Sequence, residues 1–274
     1  MSDNFLSGVM KYAVIGGIIY IGYVASITLN YMLRYRFVNE HTQEYVEKNL
    51  DNIIASTEKR FGIHFGKINV GFKDTLQNGN LGIYLINSDS IYIARKQNTP
   101  YFQASDVQYA QNPEFPLRKV KSTVEGTVIH EAGHDYFFQL AEAFKKETNI
   151  MWMANIDMAK GNEKLPTFRE NFNKKFIEEG VSEYLAISSG QESPRDTARI
   201  ANSDNFMNLD EKAFTNEFYS RGYLIVKPIP DSLGIKKGIR AILAAGPIID
   251  SDVWNVNAYS KRVLEKHANA SIRK

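Results

Sequence analysis

With 274 residues, 43% of them hydrophobic and 23% charged, the chain has enough apolar content for one substantial core, which excludes the disordered and low-complexity classes. Its 33 Lys and Arg against 31 Asp and Glu leave a net charge of +2, too weak a field to point to nucleic acid as a partner. The absence of cysteine excludes disulfides, thiolate metal sites and cysteine nucleophiles, so any metal must be held by His, Asp or Glu.

In chain order, a tail over residues 1–11 precedes 22 uncharged residues from Tyr12 to Leu33. As a helix these would rise about 33 Å, against a hydrocarbon core of about 30 Å. Tyr12, Tyr31 and Tyr35 stand near the ends, and Lys11, Arg34 and Arg36 flank them. The stretch 12–33 therefore predicts a transmembrane anchor, a single-pass membrane location and the lipid bilayer as a partner. A cleaved signal peptide is the alternative, but its apolar region usually runs about 7 to 15 residues. The flanking charges leave the side of the membrane open.

Residues 37–60 carry Val38, Tyr45, Val46, Leu50, Ile53 and Ile54 at helical spacing, which predicts an amphipathic linking helix. The period then changes: Ile68–Phe72, Leu81–Ile86 and Ile91–Ala94 are short β-branched or aromatic runs separated by turn residues. They predict a small sheet of about three strands, with Ile91–Arg95 as the strand chosen to pair with an extended substrate. Residues 96–120, with Pro100, Pro113 and Pro116, read as a surface loop. From Ser122 onwards the pattern is mostly helical, broken near Gly161–Pro166, Gly190–Pro194 and Gly246-Pro247. Strands first and helices second predict a single α+β domain over residues 61–274.

The chemistry lies inside the first of these helices. Ser122-Thr123-Val124-Glu125 is a capping-box pattern, and His130-Glu131-Ala132-Gly133-His134 follows it as H-E-x-x-H. Two histidines four apart on a helix project from one face, so both imidazoles can reach one Zn²⁺ at about 2.0–2.1 Å. Glu131 is rotated about 100° from His130, which sets its carboxylate beside the ligands as a general base. A catalytic zinc site takes a third protein ligand and leaves a position open. Phe137 and Leu140 stand where a further Gly and His would extend the motif, so a carboxylate must serve.

The segment Lys175–Leu185 supplies candidates. On a helical wheel Glu179, Ser182, Glu183 and Ala186 share a face whose small residues permit close approach to the HExxH helix. Glu179 is then the third ligand and Glu183 a partner for a ligand histidine, with Glu178 as the alternative ligand. A solvated acidic surface is the competing reading of this cluster, and Asp135 also reads as solvated.

HEAGH followed by Glu179-Gly180-Val181-Ser182-Glu183-Tyr184 resembles the gluzincin branch of the zincin metallopeptidases, the aminopeptidase N and thermolysin group. The second segment is similar to their NEGFAxY, with Glu178 in place of Asn. The resemblance implies a zincin-like fold, one Zn²⁺ held by His130, His134 and Glu179, and hydrolysis of a peptide or protein substrate with Glu131 as catalytic base. It also implies an insertion, over residues 148–168, between the two motifs. Phe218-Tyr219-Ser220-Arg221-Gly222 is similar to the Tyr-x-(Lys/Arg)-Gly segment of the same enzymes, which would make Tyr219 a catalytic donor to the oxyanion. Packing of Tyr219 and Tyr223 along a helix is the other reading of that pair. The amine-binding Gly-Ala-Met-Glu-Asn segment of the exopeptidases has no counterpart, so aminopeptidase activity does not carry over. The rival class is a membrane-tethered zinc-binding scaffold, or an inactive homologue that acts as an interaction module.

Overall fold

The computed structural model describes residues 18–30, 33–34, 37–38, 40–76, 81–85, 88–95, 115–150, 152, 165–190, 211–249, 252 and 255–272. Helix α1 spans Thr42–Phe61. Its stripe of Val46, Ile53 and Thr57 is buried, and it stops at Gly62, whose φ of 62° suits a residue without Cβ and whose N–H donates to the Glu58 carbonyl.

Three strands follow: β1 at Asn69–Lys73, β2 at Gly82–Leu85 and β3 at Ser90–Ala94. Their order is β1-β3-β2, with β1 parallel and β2 antiparallel to β3. The central β3 buries Ile91 and Ile93, as an alternating strand covered on one face should. Both its hydrogen-bonding edges are taken, so the expectation that Ile91–Arg95 could receive an extended substrate fails. Strand β2 has no second strand neighbour among the described residues.

Helix α2 runs from Phe115 to Thr148, seven residues further towards the N-terminus than the capping-box reading placed its start. Ser122 is a buried residue inside it and not its N-cap, and residues 115–120 are helix instead of surface loop. Pro116 falls in the first turn, where a missing N–H has no helical acceptor to lose. Helices α3 (Leu165–Ser188), α4 (Glu211–Val226), α5 (Pro228–Leu233), α6 (Ile235–Ala245) and α7 (Val256–Ile272) complete the described chain. The small sheet and the helical remainder are compatible with an α+β class. Most of the insertion expected over residues 148–168 lies outside the described residues.

The transmembrane part of the expectation does not hold. No helix among the described residues is long and apolar enough to cross a membrane. Of the expected span, 12–17 and 31–32 lie outside the described residues. The expectation rested on the absence of charge from residues 12–33, which reports composition and not helix length. The single-pass location falls with it.

Helix α3 is buried on more than one side and packs between α2 and α4. Ile177, Val181 and Leu185 are fully covered, and Glu178, Glu179, Ser182 and Glu183 are buried as well, which disposes of the solvated reading of the acidic cluster. Its approach to both neighbours depends on small residues. A Cβ on Gly133 of α2 would lie 2.8 Å from the Ser182 Cα, and one on Gly180 would lie 2.3 Å from the Gly222 carbonyl oxygen of α4. In the second contact the two nearest atoms, the Gly222 carbonyl oxygen and carbon, are backbone, so no side-chain rotation relieves them. Gly180→Ala must separate α3 from α4, and overpacking of this kind costs about 1–3 kcal/mol. The expected result is a thermal midpoint lower by about 2–4 °C per kcal/mol, followed by circular dichroism. An unchanged midpoint would show that the two helices do not meet at this pair.

Beneath α2, helix α6 contributes Ile235, Ile239 and Ile242 to the core at helical spacing. Each is worth about 1.5–3 kcal/mol when fully covered. This layer and α3 hold α2 from different sides, so the HExxH helix is fixed before any ligand is considered.

Candidate metal centre

His130 and His134 stand one turn apart on α2, and Glu179 reaches them from α3. The His130 and His134 Nε2 atoms are 3.2 Å apart. Glu179 Oε2 lies 3.0 Å from the first and 3.3 Å from the second. A tetrahedral ion with ligands at about 2.0–2.1 Å has ligand-to-ligand edges of about 3.3–3.4 Å. The three observed edges fall within a few tenths of an ångström of that, so this buried His-His-Glu group could hold a metal ion.

The surroundings decide which atoms face inward. Glu183 Oε2 lies 3.1 Å from His130 Nδ1, so Nδ1–H donates to the carboxylate and the Nε2 lone pair is left facing the cluster. Glu178 Oε1 lies 2.8 Å from His134 Nδ1, an ion-pair distance but out of line for a hydrogen bond. With both Nδ1 atoms turned to carboxylates, two nitrogen lone pairs and one carboxylate oxygen converge. Three acceptors at 3.0–3.3 Å repel one another unless a cation sits among them. A proton can play that part. Burial alone would disfavour an imidazolium, but the Glu179 and Glu183 carboxylates outweigh it and push His130 up to about 10. The group that draws in a proton this strongly has the polarity a dication needs.

Burial also opposes charge on Glu178 and Glu179, yet Lys175 and the imidazoles hold both below the usual carboxylate range. Lys175 Nζ is 2.7 Å from Glu178 Oε1 and 2.9 Å from Glu179 Oε1. The sequence reading did not single out Lys175. Its signal was present as an i, i+3, i+4 pattern with the two glutamates.

Glu131 is buried and lies on another face of α2, against β2. A Cβ on Gly82 would fall 2.7 Å from the Glu131 Cγ and 2.8 Å from its Oε1. Only a glycine lets this strand pass so close to the carboxylate. Burial raises the Glu131 carboxyl above its ordinary value, partly offset by the two histidines. Two residues along the same face of β2, Tyr84 stacks on His134 with ring centroids 6.5 Å apart. Its hydroxyl donates to Asp89 at 2.9 Å and lies 3.3 Å from Asp135. Tyr84 was also missed, because one aromatic residue in a four-residue strand carries no chemical pattern.

Asp135 is buried and accepts from Gln139 Nε2 at 2.7 Å, with the Tyr84 hydroxyl 3.3 Å away, which corrects its reading as a solvated side chain. Burial, and then the Asp89 carboxylate, push its carboxyl up to about 7. Helix α4 sets Tyr219 beside the site, its ring centroid 5.7 Å from that of His130. Tyr223, one turn on, stacks on Tyr184, with ring centroids 6.5 Å apart. The helix therefore treats the two tyrosines differently.

The structure thus brings His130, Glu131, His134, Glu179 and Tyr219 into one region. Glu178 and Glu183 meet the outer nitrogens of the imidazoles. No family model, curated protein or solved structure matches the chain.

Proposed function

We propose that the chain is a zinc-dependent metallopeptidase in which His130, His134 and Glu179 hold the ion and Glu131 is the general base. The observation that carries this reading is the convergence of the three donor atoms at 3.0–3.3 Å, with a buried fourth group, Glu131, beside them and outside the triangle. Imidazole and carboxylate donors suit zinc, and three protein donors leave an open position, as hydrolytic zinc sites require and closed structural sites do not.

A zinc ion bound there would polarise the scissile carbonyl and lower the pKa of water. Glu131 then accepts a proton from water and passes it to the leaving amine. The same burial that raises its carboxyl suits a group that must hold a proton and release it. Tyr219, next to His130, donates its phenolic hydrogen to the developing oxyanion. Strand β2, which has no second strand neighbour among the described residues, takes an extended peptide by strand addition, bringing its carbonyls past Glu131.

The test is hydrolysis of a broad peptide library by the purified full chain, with and without zinc. Cleavage should stop when a chelator removes the metal and return when zinc is restored. A chain that binds zinc stoichiometrically and cleaves no peptide would favour a zinc-binding scaffold or an inactive homologue.

A further inference from the structure

Among the described residues, Lys175 is the one cation whose ammonium touches both a member of the donor triangle and a carboxylate that meets a ligand histidine. It sits one turn before Glu179 on α3 and bridges Glu178 Oε1 and Glu179 Oε1. The two oxygens of Glu179 are therefore divided. Oε2 faces the His130 and His134 Nε2 atoms, while Oε1 is held on the opposite side by Lys175. Glu178 Oε1, the other oxygen it holds, is the atom that meets His134 Nδ1.

We propose that Lys175 is a positioning residue that restricts Glu179 to donating a single oxygen to the metal, which keeps a coordination position open. The inference rests on the metal reading above and adds what sets the coordination number. A carboxylate free of other partners can bind an ion through both oxygens. An ammonium 2.9 Å from Oε1 competes for that second oxygen and ties it to the helix. The side chain is shielded enough to act at short range, being 31% exposed, and it lies on the same helix as both glutamates. Without it two adjacent buried carboxylates would face the site with no fixed counter-charge, and Glu179 would be free to turn.

The experiment is X-ray absorption at the zinc edge on the zinc-loaded full chain. The wild type should show four light neighbours: two imidazole nitrogens, one Glu179 oxygen and one water. Lys175→Met should gain one oxygen neighbour while keeping its zinc, and the Co²⁺-substituted variant should lose intensity in its visible bands as coordination rises above four. Lys175→Arg, which keeps a cation, should retain the wild-type neighbour count. The proposal is overturned by wild-type spectra that need both Glu179 oxygens, by a Met variant identical to the wild type, or by a folded Met variant that binds no zinc. If the Met variant does not fold, the wild-type neighbour count alone decides. Wild-type protein that takes up no zinc at all would instead remove the metallopeptidase reading, an outcome separate from these.

Discussion

Glu131→Gln is expected to leave zinc content unchanged and to lower kcat for peptide hydrolysis by about 10²–10⁴-fold, the usual contribution of a positioned general base. The separation of the two effects follows from geometry. Glu131 takes no part in the triangle of His130, His134 and Glu179, and its side chain lies against Gly82 of β2. Gln has nearly the shape of Glu, so the narrow space at Gly82 still accommodates it, but its amide cannot accept the proton from water. Stability should not fall. Burial already disfavours the ionised Glu131, and a neutral side chain of the same shape removes that cost. The measurement is metal content by atomic emission together with steady-state kinetics and a thermal melt. Retained hydrolysis would remove Glu131 from the mechanism, whereas loss of zinc would place it among the ligands.

The parts of this site that could be read from sequence are those whose spacing is set by one helix. His130, Glu131 and His134 follow from 3.6-residue geometry alone, and so does the shared face of Glu179, Ser182 and Glu183. The contact of Gly133 with Ser182 is the close approach that the small residues of this face anticipated. The three strands were legible because their apolar alternation is interrupted by turn residues. Their order was not, since nothing local distinguishes a central strand from an edge, and Ile91–Arg95 was accordingly chosen as an open strand although β3 is paired on both sides. Tyr84 and Asp135 depended on the pairing of β2 with α2, a tertiary relation. The anchor expectation rested on hydropathy, which reports composition, and no helix among the described residues is long and apolar enough to span. Lys175 differs from all of these. Its spacing to Glu178 and Glu179 was visible, but an i, i+4 pair on a helix is usually a surface ion pair of small value. Only the burial of both glutamates, 7% and 4% exposed, gives it another role.

Substitution at the two adjacent glutamates separates ligand from partner. Glu178 Oε1 meets Nδ1 of His134, whereas Glu179 Oε2 meets Nε2 of both histidines. The two nitrogens of one imidazole point to opposite sides of the ring, so a carboxylate held at Nδ1 cannot share an ion bound at Nε2. Glu179→Ala is therefore expected to lose stoichiometric zinc on dialysis and all hydrolysis with it, because only two protein donors remain. Glu178→Ala should still bind, with affinity lower by about 10–100-fold, the usual effect of removing a group that orients a ligand histidine. Competition with a chromogenic chelator measures both. Zinc lost from the Glu178 variant and kept by the Glu179 variant would reverse the assignment and require the His134 ring to be turned over. Similar weakening in both variants would mean that neither carboxylate binds the ion directly. The third donor would then have to come from another element, with Glu183 on the far nitrogen of His130 excluded by the same ring geometry.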